Sequence, residues 1–183
     1  MKTVLVPLAQ GCEELEAVTI IDVLRRGGLE VVTAGLDGQP VKAAHGVTII
    51  PDTNLDDALK NDYDAVILPG GLPGTDHLDG DSRIHELVRK MADSGKFVGA
   101  ICAAPKVLGN AGLLQGKKAT SYPGVLDKMD LPGVTYTGSP LERDGKILTS
   151  RGPGTAMDFS LAVIETLLGT ETRNKVEAAL VRP

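Results

Sequence analysis

Phe97-Val98-Gly99-Ala100-Ile101-Cys102-Ala103-Ala104-Pro105 is the stretch on which the fold turns. Five uncharged residues run straight into a cysteine, and two alanines and a proline follow. An apolar run without alternation suits a strand buried on both faces, because neither side of its pleat meets water. Such strands belong to parallel sheets covered by helices. A helix is predicted to follow at once, from Cys102 to about Asn110. That would set the cysteine at a sharp strand-to-helix junction.

The same rhythm extends in both directions. Strands are predicted over Val4–Leu8, Leu29–Ala34, Val47–Ile50, Ala65–Leu68, Ala119–Tyr122, Val134–Thr137 and Ile147–Thr149. Helices are predicted over Leu15–Arg26, Leu55–Leu59, Ser82–Ser94, Thr155–Leu168 and Thr172–Leu180. In the first of these, Leu15, Val18, Ile20, Val23 and Leu24 recur at helical spacing, and Gly27-Gly28 stops it. Strand-helix alternation without repeat or linker predicts one α/β domain over residues 1–183, built on a mostly parallel central sheet. Ligands in such sheets bind beyond the carboxyl ends of the strands.

Composition removes several function classes. The chain has 183 residues, two cysteines, three histidines and no tryptophan. Cys12 and Cys102 lie far apart, so neither a disulfide framework nor a four-cysteine zinc site is expected. The net charge of −5 gives no footprint for nucleic acid, and the two Phe and three Tyr make no base-stacking platform. No apolar run is long enough to span a membrane. The short start broken by Pro7 does not read as a signal peptide, so a cytoplasmic protein with reduced thiols is expected. No metal site is expected: His77 beside Asp76 has no second ligand cluster and reads as a solvated loop.

Chemistry is then sought at the strand ends. Cys102 at a helix N-terminus would have its thiol pKa lowered by the free N–H groups behind it; otherwise it is an inert buried thiol. Glu13 and Glu14 suit a helix start for dipole reasons alone. Glu16 differs, because it shares a helix face with Ile20 and points a carboxyl inward, where it must be protonated or hydrogen-bonded. Gly70-Gly71 is either an ordinary turn or a source of backbone amides for an oxyanion. Ser150-Arg151-Gly152-Pro153-Gly154-Thr155 partly mimics a dinucleotide fingerprint, but Met157 stands where the third glycine belongs. Thr155 there reads as a helix cap.

Taken together, these segments resemble the DJ-1/ThiJ/PfpI superfamily, in its DJ-1-like branch, over nearly the whole chain. The resemblance is carried by Gly11-Cys12-Glu13-Glu14-Leu15-Glu16, Asp22 to Gly28, Val66 to Gly71, Ala100 to Pro105 and Leu148 to Thr155. It implies a flavodoxin-like three-layer sandwich and a homodimer. It implies that Cys102 is an oxidation-prone nucleophile and Glu16 the protonated glutamate hydrogen-bonded to it. Gly71 and Ala103 match amides of the oxyanion pocket, beside Gly70. Arg26, Arg151 and Pro153 would fall around the pocket or at the dimer contact. The implied activity is a cofactor-independent glyoxalase or deglycase acting on a small aldehyde, a methylglyoxal-type 2-oxoaldehyde, or a glycated adduct. The other reading is a redox-responsive protective or chaperone protein with little turnover, and a dead-site scaffold is the third.

Two departures from the branch stand out. Tyr122 occupies a place where the branch often has histidine, and tyrosine is a poor base near neutral pH. Ala103 stands where a protease-like branch has histidine, which disfavours peptidase chemistry. Cys12 is an extra thiol on the first strand's loop; it reads as a resolving partner for oxidised Cys102 or as a passive small residue.

Overall fold

A computed structural model describes residues Met1–Pro183. The chain alternates as β1 (Thr3–Leu8), α1 (Glu14–Arg26), β2 (Glu30–Gly35), β3 (Val41–Lys42), β4 (Thr48–Ile49), β5 (Thr53–Asn54), α2 (Leu55–Ala58), β6 (Ala65–Leu68) and α3 (Gly74–Asp79). It continues as α4 (Ser82–Asp93), β7 (Phe97–Ile101), α5 (Pro105–Asn110), β8 (Lys118–Ala119), β9 (Thr135–Tyr136), β10 (Leu141–Asp144), β11 (Ile147–Ser150), α6 (Ala156–Leu168) and α7 (Thr170–Ala179).

Seven strands form the central sheet in the order β10-β11-β7-β6-β1-β2-β5. All neighbours are parallel except β10 against β11. The uninterrupted apolar strands are explained by burial on both faces. Val4, Val6, Leu8, Ala65 and Ile67 pack on one side, with Ile20, Leu24, Phe159 and Ile164 of α1 and α6. Leu5, Val66, Leu68 and Val98 pack on the other, with Leu78, Ile84, Val88 and Leu108 of α3, α4 and α5. This is the flavodoxin-like three-layer arrangement. No helix is long and apolar enough to cross a membrane.

Several local expectations are corrected. The helix after β7 begins at Pro105, not at Cys102. Cys102 has φ +64, a left-handed backbone that no helix contains. Leu15 and Val18 do not face the core: they are 51% and 49% exposed, and the buried face of α1 is Glu14, Glu16, Ala17, Ile20, Val23 and Leu24. His77 lies on helix α3, not in a loop, and its Nδ1 pairs with Gln10 O. The Thr155 side chain caps nothing ahead of it. Its hydroxyl instead holds the turn behind, on Gly152 N, Gly152 O and Ser150 Oγ.

Candidate active site

The carboxyl ends of β1, β6, β7 and β11 meet in one crevice. β6 lies between β1 and β7, so residues just past all three come together. Glu16, in the first turn of α1, is fully buried. Its Oε2 accepts the Gly70 N–H at 2.8 Å, and its side chain hydrogen-bonds Cys102. Its Oε1 has no hydrogen-bond partner although it is sealed from solvent. A buried carboxylate oxygen without a partner is costly, so the group favours its proton. Burial pushes Glu16 up to about 7, with the Glu13 charge adding to it, against the Gly70 and Cys102 hydrogen bonds.

Cys102 is also nearly buried. Burial, then the Glu16 charge, push its thiol up to about 12, opposed by hydrogen bonds from the Gly71 and Ala103 N–H groups. The sequence predicts the opposite direction. The reason is that burial and the Glu16 charge outweigh the amides of Gly71 and Ala103. Both shifts share one origin, since the crevice accommodates one negative charge and not two. When Glu16 keeps its proton, the repulsion becomes a hydrogen bond to sulfur.

Two glycines make this closeness possible. A Cβ at Gly70 would lie 2.7 Å from Cys102 Cβ and 2.8 Å from Glu16 Oε2. Gly71 has φ +91, and a Cβ there would lie 2.2 Å from the Glu13 nitrogen. Gly70 spends its N–H on Glu16, whereas the N–H groups of Gly71 and Ala103 are directed at Cys102.

The Cys102 backbone is clamped on both sides. Cys102 N donates to Ser150 O at 2.9 Å, and Tyr122 N donates to Cys102 O at 2.8 Å. Tyr122, Arg151 and Pro153 line one cavity, and Tyr122 links it to the Cys102 backbone. Arg26 is elsewhere: it ends α1, pairs with Asp22 at 2.7 Å and borders α7. It lies about 15 Å of helix rise from Glu16. Cys12 and Cys102 are unbonded members of one apolar cluster. Burial, with the Glu14, Glu13 and Glu16 charges, pushes Cys12 up to about 11, so it stays a thiol at neutral pH.

One role was not legible in the sequence. Glu14 Oε1 accepts from His45 N at 2.8 Å and Val47 N at 3.4 Å, fastening the β3–β4 hairpin over the start of α1. Burial opposes its charge, but these bonds and His45 outweigh it and hold the carboxyl below its ordinary range. Glu13 caps α1 through Leu15 N. Glu13, Glu14 and His45 converge closely, with His45 Nδ1 at 3.4 and 3.3 Å from the two carboxylates.

The DJ-1/PfpI family model matches residues 2–166. The chain belongs to the DJ-1/PfpI family. It is 44% identical over 98% of its length to protein DJ-1 homolog A of Arabidopsis thaliana, and spans only 46% of that relative. It is 40% identical over 91% of its length to the glutathione-independent glyoxalase DJR-1.2 of Caenorhabditis elegans, and covers 89% of it. Among DJ-1 structures, Drosophila melanogaster DJ-1beta superposes with a TM-score of 0.95 at 40% identity, covering 100% of this chain and 98% of that one.

Proposed function

We propose that the chain is a cysteine-dependent, cofactor-independent glyoxalase-type enzyme for small 2-oxoaldehydes or their adducts, working as one domain in a homodimer. The observation that carries it is the fully buried Glu16, hydrogen-bonded to Cys102 with one oxygen otherwise unpartnered. The pair holds one labile proton beside a nucleophile, which is what a proton shuttle between adjacent carbons requires.

With methylglyoxal, the Cys102 thiol gives its proton to the Glu16 carboxylate as the sulfur bonds to the aldehyde carbon and the carbonyl electron pair moves to oxygen. The Glu16 proton neutralises that oxygen, under the N–H groups of Gly71 and Ala103. Glu16, now ionised, removes the hydrogen of the aldehyde carbon and returns it to the neighbouring carbon. The hydroxyl proton of the first carbon passes to the second oxygen. The result is a thioester of lactate, which water cleaves to lactate and the free thiol. Tyr122 borders the cavity as a hydrogen-bond donor rather than a base.

The test is lactate formation from methylglyoxal by the wild type, Cys102→Ser and Glu16→Gln. Each variant is expected to lose at least about a hundredfold in kcat. Wild-type turnover no faster than either variant would sink the reading.

The same geometry favours a second reading, redox response. The Glu16 proton and the two amides also suit oxygens added to the Cys102 sulfur, with Cys12 as a candidate partner. Mass spectrometry after mild peroxide is expected to find Cys102 oxidised first. An unmodified Cys102, or no disulfide to Cys12 at any dose, removes the corresponding part.

The homodimer is supported by apolar surface on α1 and the β3–β4 segment. Leu15, Val18, Val47 and Ile50 are 51%, 49%, 49% and 79% exposed. Val18, Ile21, Ile49 and Ile50 line one groove. Light scattering on Val18→Asp is expected to show a monomer, and an unchanged dimer would place the contact elsewhere.

A further inference from the structure

A cavity of about 330 Å³ is walled by Tyr122 and Pro123 and by Arg151, Pro153 and Thr155. Both walls are tied to the Cys102 backbone. Tyr122 donates to its carbonyl, and its own N–H reaches Ser150, the residue before Arg151. No carboxylate lines the cavity. Arg151 is exposed and forms no ion pair; a single bond from Nη1 to Gly138 O, 3.1 Å, steadies it. A guanidinium carries five N–H donors in a planar fork, so most of this one's donors are uncommitted. The half-exposed Tyr122 ring adds a flat wall and a hydroxyl donor. The cavity therefore pairs an uncommitted cation with a phenol and carries no opposing charge, and Tyr122 in its wall is hydrogen-bonded to the Cys102 backbone.

We propose that this cavity is an anion subsite, seating a carboxylate or phosphate carried by the carbonyl compound that Cys102 attacks. The inference rests on the glyoxalase-type reading for its substrate and names that substrate's class: 2-oxoaldehydes bearing a negative group a few bonds from the reacting carbon. Methylglyoxal is a truncated member of the class that leaves the subsite empty. Fixing an anion there holds the carbonyl over the sulfur, so the remote contact lowers the barrier as well as tightening binding.

The test compares kcat/KM for methylglyoxal, 4,5-dioxopentanoate and hydroxypyruvaldehyde phosphate in the wild type, Arg151→Gln and Arg151→Lys. One or both anionic substrates are expected to be preferred over methylglyoxal by about tenfold or more, the size of a charge-assisted hydrogen bond. Which of the two is preferred separates a carboxylate site from a phosphate site. In Arg151→Gln the preference ratio falls towards one, Arg151→Lys recovers part of it, and added salt erodes it.

A second measurement needs no turnover: the rate of Cys102 alkylation by iodoacetate relative to iodoacetamide. Arg151→Gln is expected to lower that ratio several-fold. A ratio that does not respond to Arg151, or a wild type with no anionic preference, overturns the subsite even if methylglyoxal is turned over. A responsive alkylation ratio with no 2-hydroxy acid formed from any of the three substrates keeps the subsite and rejects the glyoxalase reading.

Discussion

The two ends of the sheet differ in a way that separates chemistry from mere space. At the amino ends of β6 and β7, a cavity of about 490 Å³ opens among Leu59, Tyr63, Leu87, Lys90 and Met91. Most of its charges are paired: Arg83 meets Asp81 at 2.6 Å and Asp56 at 2.7 Å. Lys90 meets Asp62 at 3.8 Å with both side chains largely in water, and Lys96 meets Asp64 at 3.7 Å. At the carboxyl ends the adjoining cavity is smaller, yet a carboxyl is buried with an oxygen unpartnered, a cysteine is held at φ +64, and two glycines admit contacts no side chain would allow. Such costs persist only where surrounding structure enforces them. Strain and unsatisfied polarity, not volume, mark the reactive end.

That contrast is open to direct attack. The largest expected effect is at Gly71. Gly71→Ala meets the Glu13 backbone and needs a positive φ, so it should cost about 3 kcal/mol or more in urea denaturation and abolish turnover. Lys90→Ala at the other end should stay within about 0.5 kcal/mol and keep wild-type kcat. Equal effects would erase the distinction between the two ends.

The next effect is a pH dependence. Glu16 sits at about 7 in the folded chain against an ordinary 4.5, so the folded state holds a proton the unfolded state releases. Its contribution is fully present below the unfolded value and is lost as pH rises through the folded one. Across that window the linkage is worth about 3 kcal/mol. Denaturation midpoints from about pH 5 to about pH 8 should therefore fall more steeply for the wild type than for Glu16→Gln. Parallel slopes would mean the carboxyl is not protonated in the crevice.

Glu14 behaves with the opposite sign. Its carboxyl is held low, so its grip on the hairpin is present above the ordinary carboxylate range and weakens on acidification through the folded value. Glu14→Ala should raise amide exchange at His45 and Val47 severalfold at neutral pH, and unchanged exchange would show that the hairpin is held otherwise. The smallest effect concerns Tyr122→His, expected to raise kcat about tenfold by supplying a base near neutrality. No gain would show that proton transfer bypasses that position.

The sequence reading reached furthest where burial is symmetrical. β1, β6 and β7 were legible because both their faces are covered, so their residues form largely apolar runs. β10 was not, because Leu141–Asp144 is a half-exposed edge strand with three charged residues. Helix α3 lacks a side-chain cap and an apolar stripe, and nothing announced it. On α1 the apolar pattern misled: Leu15 and Val18 carry the helical period but face outward, while Glu16 faces in. For the site, Cys102 and Glu16 stood out from their places after strands. The direction of the thiol's shift did not, since it depends first on burial and then on the Glu16 charge that α1 brings to the sulfur.

The clamp on Cys102 has a consequence for biosynthesis. Its amide is satisfied by Ser150 and its carbonyl by Tyr122, and β11 pairs with Val98, Gly99, Ala100 and Ile101 of β7. On a ribosome the cysteine emerges well before these partners. Until the strand ending at Ser150 has cleared the exit tunnel, the thiol belongs to an unfinished sheet, without its shaped surroundings. The last third of the nascent chain thus acts as the switch that turns an ordinary cysteine into a positioned one.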